Sequence, residues 1–133
     1  MPRTILQAVH LPAPPARLYA QYLNSRTHAT ITGGPARVTA KAGSAFSAFG
    51  GTLSGRILHL VPRRLIVQAW RSSHWPKSDV DSTLILSFHA EKGGGRIELT
   101  HVNVPAHDYR GVVKGWKTHY WDPWRKLLRV RSR

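Results

Sequence analysis

The strongest constraint on the fold is a run of short strand-like segments, joined by tight turns, that fills residues 36–104. Apolar and polar residues alternate within each segment, which is typical of strands with one buried face. Connections this short favour antiparallel neighbours, because a parallel pair needs a long crossover. The predicted strands cover residues 37–40, 45–49, 52–61, 65–71, 82–90 and 96–104.

The residues before this run predict one more strand and two short helices. The strand covers residues 3–11 and ends at a proline-rich segment. Pro14 or Pro15 can begin the first helix, because proline is tolerated in the first turn. Asn24 and Ser25 end that helix and offer caps for a second one, over about residues 26–31.

After residue 108 the spacing of apolar residues changes to steps of four and three, the period of one helix face. The predicted stripe consists of Tyr109, Val113, Trp116, Tyr120, Pro123 and Leu127. A proline inside this helix costs about 3 kcal/mol unless packing accommodates a kink. We therefore predict a long C-terminal helix, capped by Asp108 and distorted near Pro123 by its tertiary contacts.

These elements predict an α+β fold in a single domain over residues 1–133. A curved antiparallel sheet of about six or seven strands wraps around the long C-terminal helix, with two short helices after the first strand. Strand parity places two sets of side chains on the inner face of the sheet, opposite the helix. They are Leu84, Leu86 and Phe88 on one strand and Ile97, Leu99 and His101 on the next.

Composition excludes several classes of protein. The chain has no cysteine, which rules out disulfides, thiolate nucleophiles and cysteine-ligated metal centres. Its first residues lack the apolar run of a signal peptide, and no stretch reaches the ~18 apolar residues of a membrane span, so we expect a soluble, cytoplasmic protein. With 20 Lys and Arg against 6 Asp and Glu, the formal net charge is +14, and such a field attracts anions of every kind.

An ordered series of motifs extends over nearly the whole chain, from about Ile5 to Leu128. It consists of GSAFSAFGG at 43–51, SGR at 54–56, IVQAWR at 66–71, WP at 75–76, LTH at 99–101, VP at 104–105 and GW at 115–116, with Leu58, Leu60, Pro62, Tyr120 and Pro123. The series resembles the C-terminal-domain-like family of activators of the ninety-kilodalton heat-shock chaperone's ATPase (AHSA-like), within the SRPBCC (START-like) superfamily.

The resemblance implies a helix-grip fold with a cavity between the curved sheet and the last helix. It implies a range of roles, since members of the superfamily carry lipids, hormones or aromatic polyketides and a few are cyclases or hydroxylase components. The full co-chaperone of the family has an additional N-terminal domain, for which we expect no room in this chain. The heat-shock chaperone therefore enters as a partner only in a second hypothesis.

Candidate cavity residues lie where the predicted strands and the loop after residue 71 face the last helix. They are Trp70, Arg71, Trp75, Leu84, Leu86, Phe88, Leu99, His101, Trp116 and Tyr120. Aromatic walls with Arg71 and His101 as polar groups suit an apolar or amphipathic ligand. The competing interpretation is structural, in which Arg71 pairs with Asp79 or Asp81. In that interpretation His101 is a hydrogen-bonded core histidine.

The sequence contains no catalytic or cofactor signature. Its eight histidines lack the His-x-x-x-His spacing of a metal site. Asp79 and Asp81 come nearest to a catalytic carboxylate pair, but they lie in a predicted loop. There is no nucleophile elbow, and the glycines at 93–95 indicate a hairpin because no helix follows them.

The C-terminal helix also carries a basic set. Its candidate polyanion contacts are Lys114, Lys117, Arg125, Lys126 and Arg129. Trp121 and Trp124 lie among them, and basic groups with interleaved aromatics can hold a nucleic-acid backbone and stack bases. No standard nucleic-acid motif accompanies them, so nucleic acid ranks low among the expected partners.

The leading hypothesis is a non-catalytic helix-grip protein, monomeric or homodimeric, that binds an apolar or amphipathic small molecule between the sheet and the C-terminal helix. The second is a stress-related interaction module like the C-terminal domain of the chaperone activators. A cyclase- or hydrolase-like enzyme of the same superfamily ranks third.

Overall fold

The strands form one antiparallel sheet. Buried and more exposed residues alternate along them, so one face of the sheet is covered. The computed structural model describes residues 1–131. The strands are β1 (Arg3–Leu11), β2 (Ala36–Arg37), β3 (Ala45–Ala48), β4 (Leu53–Val61), β5 (Leu65–Ser72), β6 (Ser82–Glu91) and β7 (Gly94–Val104). They pair in the order β1-β7-β6-β5-β4-β3-β2, and every pair is antiparallel.

Helices cover the inner face of the sheet, which gives the predicted helix-grip fold. They are α1 (Pro15–Tyr22), α2 (Ser25–Thr32), α3 (Tyr109–Gly115), a π-helical turn (Trp116–Trp121) and α4 (Asp122–Arg131). Short 3-10 turns occupy Phe49–Gly51 and Ala106–Asp108. The segments α3, π-helical turn and α4 follow one another without a break, and we call residues 109–131 the closing helix.

The predicted inner face of the central strands is confirmed. Its members are all 4% exposed or less, and they are Leu84, Leu86, Phe88, Ile97, Leu99 and His101. Paired residues such as Leu86 and Leu99 sit side by side on this face. Strand parity was sufficient here because a side chain's face follows from its position in the strand alone.

The predicted strand over residues 37–40 is wrong in length. Only Ala36–Arg37 pairs with β3. The next residue, Val38, instead exchanges two hydrogen bonds with the Ser25 hydroxyl: its N–H donates to Oγ at 2.9 Å, and Oγ donates to its carbonyl at 3.0 Å. The side chain at the start of α2 thus replaces a ladder partner and ends the strand.

The turn between β6 and β7 is shorter than predicted, since the two predicted strands were separated by residues 91–95. The strands extend until Glu91 pairs with Gly94. A Cβ at Gly94 would lie 2.1 Å from the Leu11 carbonyl oxygen, so a side chain there would collide with backbone. The glycine run therefore serves the close packing of β7 against the end of β1.

The closing helix changes its geometry just before its proline. Pro123 has no N–H for the carbonyl four residues back, and in a regular α-helix its ring would clash with that carbonyl. The wider π-helical turn ends at Trp121, so Pro123 falls in the first turn of α4, where proline is tolerated. The predicted distortion is thus a change of helix type.

The π-helical turn also changes which side chains face the sheet. The stripe predicted to continue through Pro123 and Leu127 is wrong. The buried side chains are instead Val112, Trp116, Tyr120, Trp121, Trp124 and Leu128. A π-helical turn adds one residue to the helical period, so Trp121, five positions after Trp116, joins the buried face.

The two short helices fill one half of the space between the sheet and the closing helix. Asn24 caps α2 by accepting a hydrogen bond from the Thr27 backbone N–H at 3.1 Å. From α1, Leu18 and Tyr22 are buried, and the Tyr22 ring stacks on that of Trp124 with centroids 6.5 Å apart. We call this filled half the packed end.

Candidate ligand pocket

The other half of the inner space holds an open pocket, which we call the aromatic pocket. It lies between the end of β5, the 3-10 turn at residues 49–51 and the N-terminal half of the closing helix. Its volume is about 370 Å³, which is within the usual range for small-molecule sites. The apolar lining consists of Phe49, Leu53, Trp70, Val112, Trp116 and Tyr120. Of the predicted cavity residues, the pocket brings together Trp70, Trp116 and Tyr120.

Two glycines keep the helix side of the pocket open. Gly111 and Gly115 both line it and lie four residues, or about one turn, apart. Gly115 has ordinary helical torsions (φ −61, ψ −39), and a Cβ there would meet nothing closer than His119 Cδ2 at 3.8 Å. The backbone therefore does not require glycine at this position, and its absent side chain leaves room in the pocket.

The rim opposite these glycines contains a strained aromatic residue. Phe49 has φ 52, which is unusual for a bulky side chain and costs of order 1–3 kcal/mol. Its ring meets that of His119 edge to face, with centroids 5.1 Å apart. Neither residue was predicted to line a cavity, although the pair of glycines after Phe49 marks an unusual backbone.

The polar side chains on the lining belong to Thr52, Ser72, His74, Asp108, His119 and Tyr120. The one carboxylate among them is already bonded. Asp108 accepts a hydrogen bond from Trp75 Nε1 at 2.8 Å. The predicted capping role of Asp108 is wrong, because its side chain makes no bond to the first turn of α3. Trp75 is 4% exposed and is not part of the lining, so its predicted place among the cavity residues is wrong as well.

His101 lies in the core with both ring nitrogens bonded. Trp116 Nε1 donates to Nδ1 at 3.2 Å, and an indole can only donate, so the ring proton is on Nε2. Nε2 then donates to the Ser82 hydroxyl at 2.8 Å, which donates to the Trp70 carbonyl at 2.6 Å. Burial lowers the pKa of His101 to about 3. Of the two interpretations, the geometry favours the bonded core histidine.

The Ser82–His101 contact has the residue types of a nucleophile and its base, but the protons are wrongly placed. A general base must accept the proton of the nucleophile, whereas here His101 is the donor. Neither side chain is exposed. The pair therefore holds β6 to β7 and does not provide an activated serine.

Tyr120 connects the aromatic pocket to the packed end. Its hydroxyl donates to His28 Nε2 at 2.8 Å, and His28 Nδ1 donates to the Tyr22 carbonyl at 2.7 Å. Burial lowers the pKa of His28 and raises the pKa of Tyr120, so both groups stay neutral. The hydroxyl proton of Tyr120 is committed to this bond.

Arg71 is held away from the pocket by the loop that follows β5. Its guanidinium donates to Asp81 Oδ1 at 2.7 Å and to the carbonyls of Asp79 and Pro76, both at 3.0 Å. The predicted ligand contact is wrong for this arginine, because it does not line the pocket and its donors are used by the loop. The alternative pairing with Asp81 is observed.

The remaining predicted cavity residues belong to the solid core. Leu84, Leu86 and Leu99 are 1% exposed or less, and Phe88 packs edge to face on Tyr19 with centroids 5.6 Å apart. None of the four lines the aromatic pocket. Parity identified their face correctly but not how deep each would lie, because α1 covers the part of the sheet where Phe88 sits.

Two members of the predicted basic set are partly neutralised. Lys117 and Arg125 contact the carboxylate of Asp122 at 2.7 and 3.7 Å. Arg125 also donates to the His10 carbonyl at 3.1 Å, which fixes α4 against β1. These two cations therefore make local contacts in addition to contributing to the net positive charge.

The other three basic residues point outward. Lys114 is exposed on α3, and Lys126 and Arg129 border a surface concavity of about 450 Å³ on α4. The prediction that Trp121 and Trp124 could stack on bases is wrong, because they are 6% and 0% exposed. This surface can attract anions by charge, but it offers no aromatic platform.

Two further kinds of site are missing from residues 1–131. In that range no three His, Asp or Glu side chains come together in a way that could hold a metal ion. Nor does any helix there combine the length and apolar character required to cross a bilayer.

Comparison with known proteins identifies the family. A family model described as activator of Hsp90 ATPase homolog 1-like protein matches residues 12–129. The human protein named activator of 90 kDa heat shock protein ATPase homolog 1 is 28% identical over 108 residues, which are 81% of this chain and 32% of the human protein. The chain thus spans about a third of the length of that relative.

Solved structures agree with this at the level of the fold. An HSP90 activator from Plasmodium falciparum superposes with a TM-score of 0.80 at 24% identity, covering 88% of this chain and 89% of the other. A protein from Mesorhizobium loti superposes with a TM-score of 0.82 at 18% identity, covering 96% and 98%. Since the family model matches most of its length, the chain belongs to the activator of Hsp90 ATPase homolog 1-like family.

Proposed function

We propose that this protein binds an apolar or amphipathic small molecule in the aromatic pocket and does not act on it chemically. The observation that carries the proposal is the pocket itself: about 370 Å³, with an aromatic floor and a mostly apolar surface. Sites of this kind bind through apolar contact and use one or two polar groups to orient the ligand.

The distribution of hydrogen bonds supports a binding role over a catalytic one. The inward-facing histidine, His101, is neutral and fully bonded, and the nearby Ser82 accepts its proton instead of giving one. Asp108 is the carboxylate on the lining and already accepts from Trp75. These groups hold the walls in place. Two further titratable side chains, His74 and His119, line the pocket, and within the described residues neither ring is hydrogen-bonded to a hydroxyl that could act as a nucleophile.

A substitution that fills the pocket tests the proposal. Gly115→Leu adds a side chain where a Cβ meets no hindrance, so the fold should persist while the space is occupied. Binding of the neutral fluorophore N-phenyl-1-naphthylamine would be measured by titration. We expect saturable binding to the natural chain and at least tenfold weaker binding to the variant.

The matched control is Lys114→Leu, which adds a leucine to the neighbouring, exposed position of the same helix. It should leave the affinity for the fluorophore unchanged. Equal affinity in both variants would contradict the proposal, because it would place the fluorophore outside the pocket.

The family match favours a second function, a stress-related interaction module that acts on the ninety-kilodalton heat-shock chaperone. The match over residues 12–129 supports it, and the human relative is named as an activator of that chaperone's ATPase. The test is steady-state ATP hydrolysis by the chaperone with increasing amounts of this chain.

We expect weak stimulation or none from the isolated chain. It corresponds to about a third of the human relative, and a second contact supplied by the rest of such a protein would add avidity. Strong stimulation would make chaperone activation the first function instead of the second.

A further inference from the structure

The turn between β4 and β5 places an arginine where glycine is favoured. The Arg64 N–H donates to the Val61 carbonyl at 2.9 Å, which closes a turn with Pro62 and Arg63 as its two central residues. Proline followed by a residue of positive φ is typical of a type II turn, whose third position favours glycine. Arg63 occupies that position with φ 67. Backbone strain of this kind concentrates at binding sites, so Arg63 is a candidate for one.

Arg63 lines a surface concavity of about 770 Å³ at this end of the sheet. We call it the arginine groove, because Arg63, Arg64 and Arg96 all line it. The Arg64 carbonyl accepts a hydrogen bond from the Phe88 N–H at 2.9 Å, which fixes the turn against β6. The groove shares no residue with the aromatic pocket. Its other lining residues are Pro15, Ala16, Phe88, His89 and Ala90.

The guanidinium groups of the groove are available to a partner. Arg63 and Arg64 are exposed, and neither forms an ion pair with another residue that the structure describes. Arg96 lies 3.8 Å from a carboxylate oxygen of Glu91 and 3.4 Å from one of Glu98. Both distances exceed the about 2.7–2.9 Å of a charge-assisted hydrogen bond. The three arginines can therefore still donate to an anionic group.

The acids beside Arg96 restrict the kind of anion. Glu91 and Glu98 are each shared with a histidine, His10 at 2.6 Å and His89 at 3.0 Å. Their repulsion of an incoming anion increases with its charge. A singly charged carboxylate therefore suits this site better than a phosphate dianion.

We propose that the arginine groove binds an acidic segment of another protein through carboxylates that pair with the arginines. Cations supplied by both the β4–β5 turn and β7 suit several carboxylates along a chain better than one compact anion. The apolar lining residues can pack against apolar side chains between those carboxylates. A nucleic acid is less suited, because Phe88 is 4% exposed and offers no face on which a base could stack. This site is independent of the proposed small-molecule function.

A matched pair of peptides tests whether the groove recognises carboxylates. The acidic peptide is GELEGELEG with an amidated C-terminus, and its control, GQLQGQLQG, has glutamine in place of every glutamate. Both carry a tetramethylrhodamine label, and fluorescence anisotropy measures their affinities at ~0.15 M salt, where charges more than about 8 Å apart are largely screened. We expect the natural chain to bind the acidic peptide about tenfold more tightly than the control. Equal affinities would overturn the proposal.

Two double variants separate the groove from the net charge of +14. Arg63→Gln with Arg64→Gln removes two cations from the groove and should abolish most of the preference for the acidic peptide. Lys126→Gln with Arg129→Gln removes the same charge from exposed positions of α4 and should retain the preference. An equal loss in both would show attraction by net charge alone and would overturn the proposal.

A short DNA duplex is the competing ligand in the same assay. We expect it to bind the natural chain no more tightly than the acidic peptide does. Tighter binding of the duplex that is lost in the Arg63→Gln, Arg64→Gln variant would overturn the proposal and assign the groove to nucleic acid.

Glycine variants test whether Arg63 serves binding instead of the turn. Arg63→Gly should weaken binding of the acidic peptide and yet raise the thermal midpoint by about 2–4 °C, because glycine adopts a positive φ without strain. Arg64→Gly is the control: it removes a groove cation at a position without positive φ, so it should weaken binding and lower the midpoint. Unchanged peptide binding by Arg63→Gly would overturn the proposal. A lower midpoint for that variant would overturn it too, since the arginine would then serve the turn.

Discussion

The packed end and the aromatic pocket lie under the same sheet and the same closing helix, yet one is solid and the other is open. At the packed end, α1 inserts Leu18 and Tyr22, and α4 presents Trp124. At the pocket no short helix intervenes, and α3 presents Gly111 and Gly115. The comparison shows that the fold leaves the space available and that individual side chains decide whether it is filled.

The largest expected effect comes from emptying the packed end. Trp124→Ala removes a side chain that is 0% exposed and leaves Gln21 without its donor. Large-to-small changes of this kind cost about 3–5 kcal/mol in the free energy of unfolding. Urea denaturation would measure the loss, and a cost below 1 kcal/mol would contradict the distinction between the two regions.

The second prediction concerns the pH dependence of stability, which reports how strongly burial disfavours protonation of a histidine in each region. The pKa of His101 is about 3 in the folded chain and about 6.5 when unfolded. Between these values the unfolded chain binds more protons, so stability falls as the pH drops from about 6.5 toward 3, by about 1.4 kcal/mol per pH unit. His28, which connects the pocket to the packed end, contributes in the same direction because burial lowers its pKa too.

Glutamine variants assign this pH dependence to its sources. His101→Gln and His28→Gln should each make the fall in stability below pH 6.5 shallower, as followed by urea denaturation at several pH values. If the slope for His101→Gln equals that of the natural chain, water reaches the core beneath the pocket and that region is less sealed than the packed end.

The third prediction concerns the two glycines that keep the pocket open. Gly115→Ala should raise stability by about 0.5–1 kcal/mol, because alanine favours the helix and meets only ordinary contact there. Gly111→Ala should not, since its Cβ would lie 2.6 Å from Asp108 Oδ1 and displace the carboxylate whose Oδ2 accepts from Trp75. Thermal melts of both variants measure the difference, and equal shifts would show that the space around them is equivalent.

The smallest effect is expected at the outer face of the closing helix. Lys126→Glu with Arg129→Glu should weaken binding of a short DNA duplex at low salt, and the affinity of the natural chain should fall with salt irrespective of base sequence. The affinity of N-phenyl-1-naphthylamine should stay the same in this variant. Tight, sequence-selective binding at physiological salt would contradict a purely electrostatic surface.

The sequence predicted most of the fold because its strands and helices follow local patterns. Alternation located β1 and the strands from β4 to β7, and proline and asparagine located α1 and α2. The spacing of apolar residues failed to predict the closing helix after Tyr120, where a π-helical turn brings Trp121 to the buried face. The tertiary contacts around Pro123 determine that turn, and a pattern based on 3.6 residues cannot represent it.

The pocket was harder to predict because it depends on positions where the helix carries no side chain. Trp70, Trp116 and Tyr120 were identified as large inward-facing side chains. Gly115 was overlooked, since a helical glycine carries no signal of which face it leaves open. Arg71 was assigned to the ligand because its partner in the following loop depends on how that loop folds back.

The pairing of β1 with β7 has a consequence for how the chain acquires its structure. Ile5 pairs with His101, and Gln7 then accepts a hydrogen bond from Trp121 on the closing helix at 2.7 Å. The strand β1 therefore has no partner strand until most of the residues that follow it have been made. Contacts so distant along the chain slow folding, and they leave intermediates with an unpaired strand edge. During synthesis, β1 should therefore remain unpaired until β7 has been made.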